Sequence, residues 1–213
     1  MQKRNYQKEL DALIEKEIGA ESQELPTLLL HSCCAPCSSY TLEYLSRYFR
    51  ITVLYFNPNI MRKEEYEKRV GEQQRLIGEL AASISFLAGR YEPREFVEAV
   101  KGMEHEPEGG KRCWTCYQLR LEEAARIASE KGFDFFCTTL SISPLKHADW
   151  LNSIGEELSQ RYGVRWLPSD FKKKGGYKRS IELSKTHNLY RQNFCGCEYS
   201  RAENAAKCNN PDE

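Results

Sequence analysis

The chain has 213 residues, enough for one domain of generous size or a domain with an appendage. Hydrophobic residues make up 40% of it and aromatic residues 11%, so a proper core can form without disulfide staples. Lys+Arg and Asp+Glu each number 31, which excludes binding of nucleic acid through net charge alone; a polyanion would need a local basic face.

Tyr6, Leu10, Leu13, Ile14 and Ile18 repeat at helical spacing between charges, which predicts an amphipathic N-terminal helix broken at Leu25-Pro26. Residues 27–31 form a short, almost wholly apolar run, as expected of a strand buried on both faces. A helix over 38–49 and a second buried strand over 51–56 follow, then a loop at Asn57-Pro58-Asn59. A long charged helix over 64–82 precedes a third strand near 83–87 and a helix over 92–100. Beyond the turn-rich 106–110 come a helix over 114–131, a fourth strand over 133–140, a helix over 146–162 and a fifth strand over 164–167. The chain from Pro168 onward is polar and basic, with one more helix over 177–186. Strand and helix alternate throughout, which predicts an α/β domain with a doubly wound, mostly parallel sheet. The expected organisation is a helical extension over 1–25, the α/β domain over 26–200 with a basic C-terminal segment, and a polar tail over 201–213. Residues 1–25 lack the apolar stretch of a signal peptide and no later run approaches the ~20 apolar residues of a membrane span, so a cytoplasmic protein is expected.

The cysteines carry the chemistry. Seven of the nine fall into three clusters: Cys33, Cys34 and Cys37; Cys113 and Cys116; Cys195 and Cys197. In a reducing compartment such clusters bind metal or perform catalysis rather than staple the fold. Thiolate selects iron–sulfur clusters, zinc or Cu(I), and seven thiols exceed the four that one zinc or one cluster needs. Cys33-Cys34 sits on a strand-to-helix turn, where backbone N–H groups stabilise thiolates. Cys113/Cys116 has a spacing shared by zinc knuckles, iron–sulfur sites and dithiols. With Cys33 and Cys34 it makes a four-thiolate set that suits zinc or a [4Fe–4S] cluster equally by count. A disulfide across Cys195-Gly196-Cys197 would close a very small ring and be readily reduced, so a redox pair competes there with a second metal site. Cys137 reads as a core residue, and Cys208 stands alone in the polar tail. His31 reads equally as a ligand or as a satisfied core histidine, and Asp170 as a cap or turn residue. Lys172-Lys173-Lys174, with Tyr177, Lys178 and Arg179, could neutralise phosphates and offer a stacking face, against the plainer reading of a solvated loop.

Five blocks in order resemble the signature of the QueH-type epoxyqueuosine reductases. They are His31–Cys37, Asn57-Pro58-Asn59-Ile60, Arg112–Leu121, Thr138–Lys146 and Tyr190–Cys197, within a similarity that spans about Leu28 to Ser200. The resemblance implies an adenine-nucleotide-hydrolase-like (HUP) α/β fold and an oxidoreductase. Its reaction would be reduction of the epoxide of epoxyqueuosine in the anticodon loop of tRNA to the alkene of queuosine, the last step of that pathway, without cobalamin. It further implies a [4Fe–4S] cluster on Cys33, Cys34, Cys113 and Cys116, a redox-active Cys195/Cys197 pair, and Cys37 and Asp170 as candidate ligands of an additional mononuclear iron. The implied partners are tRNA and an electron donor of unspecified identity. Cys33-Cys34-Ala35-Pro36 stands where ATP-using relatives of the fold carry a Ser-Gly-Gly phosphate loop, which argues against ATP use. Epoxide reduction takes two electrons and two protons and releases water. A dithiol delivers electrons in pairs and a cluster one at a time. His31, Tyr117 and Tyr190 are unranked candidates for the proton donor. A zinc-stabilised tRNA-binding module and a protein dithiol oxidoreductase remain the alternatives.

Overall fold

The structure, a computed structural model, describes residues 4–18, 24–80 and 83–209. One sheet holds β1 (Thr27–His31), β2 (Arg50–Tyr55), β3 (Ile84–Ala88), β4 (Phe135–Thr138) and β5 (Arg165–Trp166) in the order β3-β2-β1-β4-β5. Every pairing is parallel. The chain winds outward from β1 through β2 to β3, then returns to the other side of β1 with β4. This reversal makes the carboxyl ends of β1 and β4 a topological switch point, the place where open α/β sheets bind ligands. The doubly wound α/β expectation therefore holds.

The unbroken apolar run of β1 is explained by its position. Leu28, Leu29 and Leu30 are fully buried, one neighbour strand on each side and helices on both faces. Each such side chain contributes about 1.5–3 kcal/mol relative to exposure. His31 ends the strand in register with Thr138 of β4.

The helices are α1 (Tyr6–Leu13), continued by a wide turn over Ile14–Ile18, α2 (Ala35–Leu45), α3 (Lys63–Glu79) and α4 (Pro93–Ala99). They are followed by α5 (Lys111–Glu130), α6 (Ala148–Tyr162), α7 (Gly176–Thr186) and α8 (Glu198–Asn209). Several boundaries differ from the sequence reading by a few residues, and three of the differences are instructive. α2 starts at Ala35 rather than 38, because Pro36 is accepted in a first helical turn, where its missing N–H has no partner to lose. The fourth strand is shorter than expected: after Thr138 the chain tightens into a 3₁₀ turn over Thr139–Ile142, with the Thr138 hydroxyl accepting from the Leu140 N–H. α8 occupies a stretch with no helical hydrophobic pattern. Residues 81–82, the expected end of the third-helix segment, lie outside the described residues. α7 packs on α2 so closely that a Cβ on Gly176 would stand 2.0 Å from the Phe171 carbonyl oxygen and 2.4 Å from the Tyr40 ring. That contact carries the basic segment to the edge of the switch point.

Candidate metal centre and active site

The first cluster is built by the turn between β1 and α2. Cys34 is the N-cap residue of α2, in extended backbone, so Cys33 and Cys34 stand at the positive end of the helix. Cys37, one turn into α2, points back toward them. The ligand atoms of Cys33, Cys34 and Cys37 lie within 4.8 Å of one another, the tight metal-binding group among the described residues. Hydrogen bonds from Cys34 and then Cys37, helped by the charge of Arg120, hold the Cys33 thiol well below its ordinary range. Cys34, which keeps the proton it donates to Cys33, is pushed up to about 12, and Cys37 rises for the same reason. Thr139, just past β4, adds its hydroxyl 3.5 Å from the Cys33 sulfur and accepts from the Cys33 N–H at 3.3 Å.

Cys113 and Cys116 occupy the first two turns of α5 and are both buried. The Gly109 N–H donates to Cys113 Sγ at 3.2 Å. Burial pushes Cys116 up to about 11 and raises Cys113 as well. The pair does not join the tight trio; instead Cys116 packs with Cys197, Phe96 and Val100. The third cluster is a turn before α8 in which Cys195 Sγ and Cys197 Sγ stand 3.5 Å apart. The hydrogen bond from Cys197, and the charge of Lys146 against the cost of burial, draw Cys195 down to about 5; Cys197 is raised correspondingly. Asn59 Nδ2 and Arg69 Nη1 each donate to the Cys195 carbonyl at 3.2 Å and anchor the turn.

Arg120 ties the three clusters together. It is 3% exposed, donates to Asn57 Oδ1, and places Nη1 4.0 Å from Cys116 Sγ. Burial works against its charge, yet the thiols of Cys116 and Cys33, with Cys195 beyond them, raise its pKa above the ordinary value. Among the described residues it makes no ion pair with a carboxylate. An unpaired buried guanidinium is costly, and besides the neutral Asn57 amide and His31 Nε2 at 3.4 Å the groups that answer this charge are thiols.

Cys33, Cys34, Cys37, Arg120, Lys146 and Cys195 all line one cavity of about 220 Å³. The sequence reading missed five of its charged residues: Arg69, Glu108, Arg120, Lys146 and Arg191. Only the membership of Arg120, Lys146 and Arg191 in the signature blocks hinted at three of them. Lys146 is 9% exposed and donates to Glu108 at 3.0 Å. His31 is a satisfied core histidine, with Nδ1 2.8 Å from the Thr138 hydroxyl and Nε2 3.0 Å from the Phe56 carbonyl. Burial, with Arg120 beside it, takes its pKa down to about 3. Tyr190 donates to Glu65, and Tyr117 is buried with a hydroxyl that lacks a hydrogen-bond partner.

Asp170 is engaged by Lys172 at 2.6 Å. Cys137 is a buried strand residue whose thiol donates to the Leu167 carbonyl, and the Cys208 side chain lies outside the described residues. Much of the basic run is neutralised within the chain: besides Lys172, Lys174 pairs with Asp11 and Arg179 with Glu43. Lys173 and Lys178 have no ion pair among the described residues. Tyr177 is 37% exposed and lines the cavity. No helix among the described residues is long and apolar enough to cross a membrane.

The family model described as Epoxyqueuosine reductase QueH matches residues 28–203. Proteins named Epoxyqueuosine reductase QueH are similar along most of their length. The one from Staphylococcus epidermidis is 42% identical over 93% of this chain and 85% of its own. The one from Streptococcus pyogenes is 42% identical over 93% and 79%, and that from Thermotoga maritima 35% identical over 85% and 93%. With its cysteines gathered at the switch point of the fold, the chain belongs to the QueH family of epoxyqueuosine reductases.

Proposed function

We propose that this chain reduces the epoxide of epoxyqueuosine in the anticodon loop of tRNA to the alkene of queuosine, the last step of that modification, in the cytoplasm. The observation that carries the reading is that one buried cation, Arg120, is faced by a cysteine of each of the three clusters, Cys33, Cys116 and Cys195, at a cavity lined by the first and third of them. The donor set is all thiol, and an all-thiolate centre has the net negative charge that Arg120 would balance. The residues therefore fit an iron–sulfur group. We assign Cys33, Cys34, Cys113 and Cys116 as its ligands and Cys37 as a ligand of an additional iron; Asp170 would have to give up Lys172 to join it. Such a cluster supplies electrons one at a time when bound.

The chain's own Cys195 and Cys197 supply the stoichiometry. Oxidation of the pair to a disulfide releases two electrons, and the epoxide takes these up with two protons to give alkene and water. An electron donor then restores the dithiol. The 3.5 Å separation of the two sulfurs supports this role. Arg69 and Asn59 hold the pair against the cavity, and Lys173, Lys178 and Tyr177 are the groups we assign to tRNA.

The test is anaerobic incubation of the purified protein with tRNA carrying epoxyqueuosine and a reductant, followed by nucleoside analysis. Queuosine should accumulate, and the Cys195→Ser/Cys197→Ser double variant should fail to turn over while keeping most of its iron. An intact epoxide refutes the activity, and full turnover by the double variant removes the pair from it. A second reading, a single zinc ion on Cys33, Cys34 and Cys37, is favoured by their 4.8 Å grouping. Colourless protein containing zinc but no iron or sulfide would establish it.

A further inference from the structure

We propose that Lys146 is the proton donor of the reduction, delivering a proton from Nζ to the epoxide oxygen as the C–O bond opens. The inference rests on the reductase reading above. Of the groups considered from sequence, His31, Tyr117 and Tyr190 do not line the cavity. Arg69, Arg120 and Arg191 do, but a guanidinium does not release its proton in proteins. Tyr177 stands at the exposed side. Glu108 lines the cavity with both carboxylate oxygens engaged, one by Lys146 and one by the Ser200 hydroxyl at 2.8 Å. Lys146 is left as the buried cationic acid of the cavity, and its ammonium has three donors.

Its surroundings couple it to the dithiol. Ser200, which steadies Glu108, also donates its N–H to Cys197 Sγ at 3.3 Å and accepts from the Cys195 N–H at 3.4 Å. Lys146, Glu108, Ser200 and the Cys195/Cys197 turn thus form one network. The groups whose charges act on Lys146 are Glu108 from the loop before α5, Cys113 and Tyr117 from α5, and Cys195 from the turn before α8. Burial works against its charge, but Cys195, Tyr117 and Glu108 outweigh it and keep Lys146 protonated. The step balances. Cys195 thiolate and Cys197 thiol become a disulfide and give two electrons, while one proton comes from Cys197 and one from Lys146. Both C–O bonds break, and water and alkene leave. Loss of the Cys195 negative charge in that step removes a force that held the proton on Lys146. The resulting neutral amine is reprotonated from solvent.

The test compares single-turnover reduction by wild type, Lys146→Arg and Lys146→Ala, alongside tRNA affinity and iron content. Lys146→Arg keeps the charge but has no transferable proton. It should bind tRNA and iron as wild type does yet react at least about 100-fold more slowly, the usual contribution of a general acid. Added methylammonium should restore part of the rate to Lys146→Ala. Wild-type speed in Lys146→Arg overturns the inference while leaving the reductase reading intact. Wild-type protein that leaves the epoxide untouched overturns that reading and the inference together. Should Lys146→Ala fail to fold, Lys146→Arg decides alone.

Discussion

Gly196→Ala probes the redox turn with a single methyl group. Gly196 has φ of +116°, and an added Cβ would meet Ile60 Cγ1 at 2.7 Å and Arg69 Nη1 and Asn59 Nδ2 at 3.3 Å. Ile60 is 1% exposed and has little room to give. Backbone strain of this kind costs about 1–3 kcal/mol, and overpacking a buried side chain about 1–3 more. Against this, the turn is tied down by the hydrogen bonds of Asn59 and Arg69 to the Cys195 carbonyl, with the longer bonds of Ser200 to both cysteines beside them. A neutral donor contributes about 1 kcal/mol and a charged one about 1.5–3. The strain is of the same size as the tether, so the turn should open far more often from Ile60 while the sheet stays folded. Hydrogen exchange should show the Cys195 and Ser200 amides losing protection by at least about 30-fold, the equivalent of roughly 2 kcal/mol, with β1 and β4 amides unchanged. Turnover should collapse with it. Gly71→Ala is the control, since its Cβ would meet nothing within 4 Å and it lies inside α3. That change should stabilise by up to about 1 kcal/mol. Wild-type protection and turnover in Gly196→Ala would refute the argument.

Replacing Cys33, Cys34, Cys113 or Cys116 by Ala, one at a time, should sharply reduce iron and sulfide in anaerobically prepared protein; unchanged stoichiometry would remove that residue from the ligand set. His31 carries a pH signature. Its folded-state pKa lies near 3, below the ordinary 6.5, so the unfolded chain binds the proton first as the pH falls. Stability from this residue is present above pH 6.5 and is lost on acidification toward 3, by up to about 1.4 kcal/mol per pH unit. Urea unfolding of wild type and His31→Gln between about pH 7 and 4 should show a shallower slope in the variant; parallel slopes would mean that His31 is not buried as a neutral ring. For tRNA, Lys173→Ala/Lys178→Ala should weaken binding and lower the salt slope by about 0.7–0.9 for each phosphate no longer neutralised. Lys174→Ala, whose charge is already matched by Asp11, should leave the slope unchanged. Equal slopes for all variants would place tRNA elsewhere.

The strands were legible because their residues are buried on both faces. A run such as Leu28-Leu29-Leu30 has no polar position to disturb it, and the alternation with amphipathic segments such as 114–131 followed. α8 was not legible, because what fixes it is polar and tertiary. Glu203 pairs with Arg112 and accepts from the Glu108 N–H, and Ser200 bonds Glu108. None of these leaves a hydrophobic period. The start of α2 was misjudged for a related reason: Pro36 reads as a breaker unless one knows that it falls in a first turn.

The cysteines of the site were visible by type and spacing, whereas the charges that govern them were not. Arg120 and Lys146 look in sequence like any of the 31 basic residues. What separates them is burial beside thiols, which only the crossing of α5 beneath β1 and the approach of the 143–146 turn create. The reverse error affects the run 172–179, which looks uniformly basic in sequence. Folding brings Asp11 of α1 and Glu43 of α2 against Lys174 and Arg179, while Asp170 takes Lys172. A local charge count overstates the field wherever distant acids return to it, and understates it where a lone cation is sealed among thiols. In this chain both effects act at the same edge of the sheet. They leave Arg120 in the cavity wall with thiols rather than a carboxylate to answer its charge, while Lys172, Lys174 and Arg179 of the lysine-rich segment are matched by acids.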